Sequence, residues 1–355
     1  MEKIEPTYSF VPYGKELLPE KNTLVLDVGM KTMPGVIDHH HPHAEPECTA
    51  SLITKYPELV LHHLKREEIF PKDPPQIRII THRLPDFDSI SSIFLSLKLL
   101  EQGNVDVSME KIAHYAKIVD SASLPREIDL ASTPYSILRA LFRKIHKEEE
   151  LTNLERVNEG LKLMRFLHAR LKEGYEILEN RPLFRSVERY QKAMEAVEED
   201  YFDYLEDLKR ARMISLHLPL IEGQKSRRVE GLIIKNPRSF LLKEWARRDR
   251  VNSTQRQGFS FLMTNFGDRR YILGVYPETG VYLYGLGELL NIEEEKRRIA
   301  CSRPLAYRWY DGNCPFFNFR IIDSPQDGTS LSQEEIETIL FNFSQEIERK
   351  FSRRA

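Results

Sequence analysis

Residues 36–43 read Val-Ile-Asp-His-His-His-Pro-His, and this stretch gives the clearest indication of both fold and chemistry. Two apolar residues run directly into Asp38 and a group of histidines. This pattern is typical of a buried strand that delivers polar side chains to the edge of a sheet. We therefore expect metal ligands where this strand ends.

Two other stretches have the same organisation. Residues 76–81 are rich in isoleucine and predict a strand that leads into His82, Asp86 and Asp88. Residues 22–29 predict a short buried strand that ends in Asp27 and a glycine turn. Side chains at the carboxyl ends of neighbouring strands meet at one edge of a sheet, so we expect these acids and histidines to lie together.

Helical patterns separate and follow the predicted strands. Helical turns are expected over 49–68 with an interruption near Pro57, and residues 71–75 indicate a linker. A longer helix is expected after Asp88, with Ser89 as N-cap and Gly103 as stop. Residues 111–118 predict a further helix, which leads to Asp120. Strands that alternate with helices predict an α/β fold with a mainly parallel sheet.

Aspartates and histidines in this arrangement suit a centre with two divalent cations. Cleavage of a phosphate ester requires neutralised oxygens and a hydroxide nucleophile, and two cations about 3.5–4 Å apart supply both. Mixed imidazole and carboxylate ligands favour Mn²⁺, with Mg²⁺ as the alternative. The candidate metal ligands are Asp27, His39, His82, Asp86, Asp88 and Asp120.

The motifs resemble those of the DHH phosphoesterase superfamily. That group includes RecJ-type exonucleases, oligoribonucleases, cyclic-dinucleotide phosphodiesterases and family II inorganic pyrophosphatases. Residues 82–89 are similar to its first motif, 26–29 to its second, 38–40 to its name-giving third and 119–121 to its fourth. The order along this chain is second, third, first, fourth, as in a circular permutation. The Gly-Gly-rich, His-containing motif of many members is absent from the C-terminal sequence.

The resemblance implies a role for each matched residue. His82 and Asp86 would bind one metal ion, and a set of His39, Asp88 and Asp120 would bind the other. Asp27 would bridge the two ions, with a bridging water as nucleophile. The catalytic residues would be Asp38, which fixes the histidine tautomer, and His40, which contacts the scissile phosphate.

Other interpretations of these residues stay open at this point. Asp27 also suits a turn before glycine, and Asp120 also suits a helix cap or a solvated acid. His41 and His43 could form a zinc site with Cys48, although loop positions are favoured because no second paired set of zinc ligands is near.

The rest of the chain predicts two further domains. We expect a DHH-type catalytic domain at 1–132, a helical connector at 133–214 and a smaller α+β substrate-binding domain at 215–355. Arginine beside aromatic rings suits a ligand with a phosphate and a base. Ordinary ion pairs and core packing explain such residues equally well. The substrate-binding candidates are Arg247, Arg308, Trp309 and Asn313.

The predicted function is hydrolysis of phosphodiester bonds in short single-stranded oligonucleotides or in linear or cyclic dinucleotides. A net charge of −2 disfavours binding of long duplexes. The alternatives are an inorganic pyrophosphatase or polyphosphatase and a catalytically inactive nucleotide-sensing module. Three widely spaced cysteines and no apolar leader or span favour a cytoplasmic protein without membrane contact. A homodimer is compatible with the sequence.

Overall fold

The computed structural model describes residues 4, 6–64, 77–143, 151–221, 225–305 and 307–352. The chain divides into two compact units. Met1–Glu198 and Cys314–Phe316 form the first unit, and Glu199–Asn313 and Phe317–Ala355 form the second. The predicted connector, 133–214, is therefore divided between the units. The reason is a long helix, Glu188–Arg210, whose last turns bury Tyr204 and Leu208 in an apolar cluster of the second unit.

The first unit contains a five-stranded sheet with the order β1-β5-β2-β4-β3. Every neighbouring pair is parallel except β3 with β4, which agrees with the expected mainly parallel sheet. The central strands are buried because helices cover parallel sheets. The strands are β1 (Thr7–Val11), β2 (Thr23–Leu26), β3 (Thr32–Met33), β4 (Val36–Ile37) and β5 (Arg78–His82).

Helices follow the strands of the first unit. They are α1 (Thr49–Lys55), α2 (Glu58–Leu61), α3 (Phe87–Gln102), α4 (Val107–Asp120), α5 (Pro134–Leu141), α6 (Asn153–Lys172), α7 (Arg181–Arg185) and α8 (Glu188–Arg210). A break between α1 and α2 at Pro57 confirms the expected interruption. The predicted linker at 71–75 and the last predicted helical residues, 65–68, lie outside the described residues.

The start of α3 differs from the prediction, because Asp86 is the N-cap and Ser89 lies in the first turn. The Asp86 carboxylate accepts a hydrogen bond from the Ser89 N–H at 3.1 Å. A carboxylate is the stronger acceptor for an N-terminal N–H, since it also meets the positive end of the helix dipole. The stop at Gly103 is confirmed by its left-handed φ of 78°.

The second unit combines a mixed five-stranded sheet with three helices among its described residues that begin after α8. The strand order is β10-β9-β8-β7-β6, and only β7 with β8 is parallel. The strands are β6 (Arg212–Pro219), β7 (Ser226–Lys235), β8 (Phe261–Asn265), β9 (Tyr271–Val275) and β10 (Ile321–Asp323), and the helices are α9 (Leu242–Arg248), α10 (Leu286–Ala300) and α11 (Gln333–Ser352). Ser332 caps α11, since its hydroxyl oxygen accepts a hydrogen bond from the Glu335 N–H at 3.2 Å.

Both units are therefore of mixed α/β architecture. Among the described residues, every helix is too short or too polar to cross a bilayer. The polar cluster of interest lies in the first unit, at the carboxyl ends of β2, β4 and β5.

Candidate metal centre

Asp27 is the residue around which the cluster is arranged. It follows β2, is 1% exposed and has a left-handed φ of 61°. Its backbone N–H donates to the carbonyl of Ile37 at 2.9 Å, which fixes it beside the end of β4. Aspartate and asparagine tolerate this backbone region better than other residues with a Cβ, and strained positions gather at functional sites.

The two carboxylate oxygens of Asp27 face different neighbours. Oδ2 accepts from Ser89 Oγ at 2.7 Å and lies 3.1 Å from His82 Nε2. Oδ1 accepts from Thr49 Oγ1 at 3.2 Å and lies 3.5 Å from His39 Nδ1. A carboxylate that presents one oxygen to each of two ligand groups has the arrangement needed to join two cations.

The first ligand group consists of Asp27, His82 and Asp86, with one ligand atom of each within 4.8 Å of the others. His82 ends β5, and its Nδ1 lies 2.8 Å from the carbonyl of Arg83. Because a carbonyl can only accept, Nδ1 carries a proton, and Nε2 is the ring atom that faces Asp27 and that could bind a cation. The Asp86 side chain is 43% exposed and lies at the solvent side of this group.

The second ligand group consists of His39, Asp88 and Asp120. His39 follows β4 and is fully buried, and its Nε2 lies 3.2 Å from Oδ2 of Asp120 at the end of α4. That buried Asp120 oxygen accepts no hydrogen bond from the described residues. A buried carboxylate oxygen without a donor suits coordination of a cation.

Asp88 is held by the start of a neighbouring helix. Its two oxygens accept from the backbone N–H groups of Thr49 at 2.9 Å and Ala50 at 3.0 Å, both in the first turn of α1. Burial, and then the charges of Asp27 and Asp120, raise the pKa of Asp88 well above its usual value. The start of α1 therefore holds the Asp88 side chain in place, and the neighbouring carboxylates oppose its ionisation.

Thr49 also sets the tautomer of His39. Its hydroxyl donates to Asp27 and lies 3.1 Å from His39 Nδ1, so the hydroxyl oxygen accepts the proton carried by Nδ1. The lone pair of the ring is then on Nε2, which faces Asp120. This is the outer-partner arrangement that orients a metal-binding imidazole.

Asp38 and His40 form a pair beside both ligand groups. Oδ1 of Asp38 lies 2.6 Å from His40 Nδ1, and Oδ2 accepts from the Met30 N–H at 2.6 Å. Burial by itself lowers the pKa of His40, but the adjacent charges of Asp38 and Asp27 outweigh it and raise the pKa to about 10. Asp38 therefore orients His40 and holds a proton on its Nδ1.

The cluster as a whole carries an excess of negative charge. Its carboxylates come from Asp27, Asp38, Asp86, Asp88 and Asp120. Within the described parts of the chain, histidines alone form ion pairs with them, and neither lysine nor arginine does. Closely packed buried carboxylates need compensating charge, so the donor set fits divalent cations.

The predicted substrate-binding residues are not brought together in the same way. Trp309 is 3% exposed in the apolar core of the second unit, where its indole N–H donates to Glu294 at 3.2 Å. Arg247 is buried and lies over the ring of Tyr276. Arg308 and Asn313 are exposed. The packing of Trp309 and Arg247 corresponds to the core and ion-pair alternative.

Sequence reasoning missed two contacts of the cluster. Tyr13 follows β1, a strand that was not predicted, and its ring stacks on His82 with centroids 4.0 Å apart. Phe316, in the short segment assigned to the first unit, lies edge-on to His39 at 4.8 Å. The apolar alternation of residues 7–11 was the one available sign of β1, and it becomes informative only once β5 is known to pair with it.

No protein-family model matches the chain, and no curated protein matches it. The geometry defines a kind of site, namely buried groups of aspartate and histidine side chains that could hold a metal ion.

Proposed function

We propose that the protein is a metal-dependent phosphohydrolase of the DHH type. Its substrate class would be phosphodiesters in short single-stranded oligonucleotides or in linear or cyclic dinucleotides. The observation that carries the proposal is the position of Asp27, whose two oxygens face two separate ligand groups at the ends of parallel strands. The motif resemblance supports it independently of that geometry.

The residues divide into ligands and supporting groups. His82 and Asp86 would hold one cation, and His39, Asp88 and Asp120 would hold the second, with Asp27 shared. Bound Mn²⁺ or Mg²⁺ supplies positive charge for phosphate oxygens and a hydroxide nucleophile at neutral pH. The chain contributes the orientation of its imidazoles through Thr49 and the Arg83 carbonyl.

His40 is the residue best placed to contact substrate. Its side chain is 15% exposed, whereas those of the neighbouring His39 and Asp38 are 1% exposed. Asp38 holds Nδ1, so the other edge of the ring is directed away from that carboxylate. From there His40 would donate a proton or a hydrogen bond to a phosphate oxygen.

The test is turnover of a small substrate panel by the full chain. The panel contains a short single-stranded oligonucleotide, a cyclic dinucleotide, a linear dinucleotide and inorganic pyrophosphate, each with Mn²⁺, with Mg²⁺ and with a chelator. We expect Mn²⁺-dependent release of mononucleotide that is lost in His39→Ala and Asp86→Ala. His62→Ala, at an exposed histidine of the same unit, is the matched control and should retain activity.

Other results would redirect the function. Turnover of pyrophosphate alone would favour a pyrophosphatase. Tight nucleotide binding without turnover under any metal condition would favour a sensing module. A parent chain that binds no divalent cation would contradict the metal centre itself.

A further inference from the structure

Tyr13 lies over the candidate metal centre because of strand pairing. β1 pairs in parallel with β5, and Val11 is in register with His82. The backbone N–H of Arg83 donates to the carbonyl of Val11 at 2.8 Å, which holds the ends of the two strands together. The turn after β1 therefore begins beside His82, and Tyr13 sits in it with 40% of its surface exposed.

The aromatic ring of Tyr13 is held by two histidines of the centre. It stacks on His82 with an interplanar angle of 23°, and it meets His40 edge-on with centroids 5.7 Å apart. His82 is a candidate ligand, and His40 is the candidate substrate contact. Tyr13 thus lies between the ligand group and the position expected for substrate.

The hydroxyl of Tyr13 lies 2.8 Å from His82 Nε2. Nδ1 of this ring donates to the Arg83 carbonyl, so Nε2 is the ring atom that a cation would take. The Tyr13 hydroxyl, Ser89 Oγ and Asp27 Oδ2 all lie within hydrogen-bonding distance of Nε2. A cation at Nε2 would therefore displace the tyrosine hydroxyl from this contact.

Besides His40, few described side chains of the centre can donate a hydrogen bond to a substrate. The carboxylates repel a phosphate, and the hydroxyls of Ser89 and Thr49 both donate to Asp27. Tyr13 is different because its hydroxyl contacts the atom that a cation would take. Phosphate oxygens are strong acceptors, and hydrogen bonds to charged groups are the stronger ones.

We propose that Tyr13 is a substrate-contacting residue, whose hydroxyl leaves His82 Nε2 when a cation binds and donates to a non-bridging oxygen of the substrate phosphate. This inference rests on the proposed function, which it deepens. It assigns to the turn after β1 a role in phosphate binding. The stacked ring keeps the hydroxyl near the centre throughout this exchange.

The test compares the full chain with Tyr13→Phe, which retains the ring and removes the hydroxyl. Calorimetry measures Mn²⁺ binding first and then binding of inorganic phosphate to the Mn²⁺-saturated chain. We expect phosphate affinity to fall about tenfold in Tyr13→Phe, the size of one hydrogen bond to a charged group. Mn²⁺ affinity should stay equal or rise by up to about tenfold, because a competing hydrogen bond is gone.

Tyr175→Phe is the matched control, since Tyr175 is 45% exposed in the same unit. It should change neither affinity. With a substrate that is turned over, Tyr13→Phe should raise KM more than it lowers kcat.

Three results would overturn the inference. Unchanged phosphate affinity in Tyr13→Phe would show that the hydroxyl does not contact phosphate. A fall in Mn²⁺ affinity would make the hydroxyl a metal ligand or a structural support instead. A parent chain that binds Mn²⁺ but does not bind phosphate would show that there is no bound phosphate for Tyr13 to contact. A parent that binds both and cleaves nothing would overturn the proposed function, while the phosphate measurement would still decide the role of Tyr13.

Discussion

Both units bury acidic side chains, and they neutralise them in different ways. In the second unit, Asp200 accepts hydrogen bonds from Ser239 Oγ, the N–H groups of Phe240 and Leu241, and the Trp245 indole, at 2.7 to 3.1 Å. In the first unit, the carboxylates of the metal-centre cluster lie beside one another and beside histidines. An isolated acid that the chain satisfies with donors is structural, whereas acids that lie together and repel one another indicate a cation from outside the chain.

The buried ion pairs of the second unit reinforce this contrast. Glu294 pairs with the guanidinium of Arg298 at 2.7 Å and accepts from the backbone N–H of Ser330 at 2.8 Å. Arg298 also pairs with Asp327 at 2.7 Å. Each of these charges has its counter-charge within the chain. Substitution of a carboxylate that has such partners should therefore reduce folding stability in the second unit, whereas substitution of a carboxylate in the cluster of the first unit should reduce cation binding.

The largest expected effect is that of Asp27→Asn. Asparagine keeps the shape and tolerates the left-handed backbone of residue 27, but it cannot bridge two cations. We expect Mn²⁺ affinity to fall by more than about 100-fold, the upper end for loss of an outer partner, since Asp27 is a ligand. Calorimetry and turnover measure the effect.

Urea unfolding of the parent and of this variant, with a chelator and with Mn²⁺, measures the stabilisation that the cation provides. With Mn²⁺ at about 100 times its Kd, the parent should gain roughly 2.7 kcal/mol of unfolding free energy, and the variant should not. Equal gains in the two proteins would contradict the central position of Asp27.

Asp200→Asn should show the opposite behaviour. The amide replaces a carboxylate that accepts from several donors, so we expect a loss of about 3 kcal/mol of unfolding free energy. Mn²⁺ affinity should not change. Asp203→Asn on the same helix, at a half-buried acid, is the matched control and should change stability by less than about 0.5 kcal/mol.

Ser89→Ala should have an intermediate effect on metal binding. The Ser89 hydroxyl donates to Asp27 Oδ2 at 2.7 Å and thereby orients the shared carboxylate. Loss of such an outer partner lowers metal affinity by about 10-fold or more. Ser92→Ala removes an equally buried hydroxyl from the same helix and should leave Mn²⁺ affinity unchanged. Equal effects of the two substitutions would argue for a general change in α3.

The smallest expected effect concerns Asp323, an acid of the second unit whose negative charge is stabilised by few neighbouring groups. Burial raises its pKa to about 6, with Arg270 opposing the shift only in part. Burial favours protonated Asp323 in the folded chain. Its contribution to the free energy of unfolding is complete below the usual pKa of an aspartate and is lost as the pH rises through 6. The stability difference between Asp323→Asn and the parent should grow by about 1 kcal/mol in favour of the variant from pH 5 to pH 8.

Urea unfolding at the two pH values measures this difference. The exposed Asp268→Asn is the control, and its difference from the parent should stay constant. A constant difference for Asp323→Asn as well would mean that solvent reaches its carboxylate in the fold.

The sequence by itself indicated the acids and histidines that the candidate metal centre brings together. Apolar runs that end in Asp27, Asp38 and His82 predicted strands with polar ends, and local periodicity predicted α3 and its stop at Gly103. Such features depend on neighbours within a few residues, so they can be inferred from the chain alone. The same local reasoning placed the N-cap of α3 at Ser89, three residues after the observed cap at Asp86, because the sequence does not show the backbone angles at which the helix begins.

Other features depended on the tertiary structure, because they join residues far apart in the chain. β1 is recognised by its pairing with β5, about 70 residues away, and that pairing brings Tyr13 to His82. The donation from Thr49 to Asp27 and the burial of Trp309 also arise from packing between distant elements. Residue types and their local spacing specify which side chains can bind a cation. Only the folded chain specifies which of them face one another and which acids it leaves without a counter-charge.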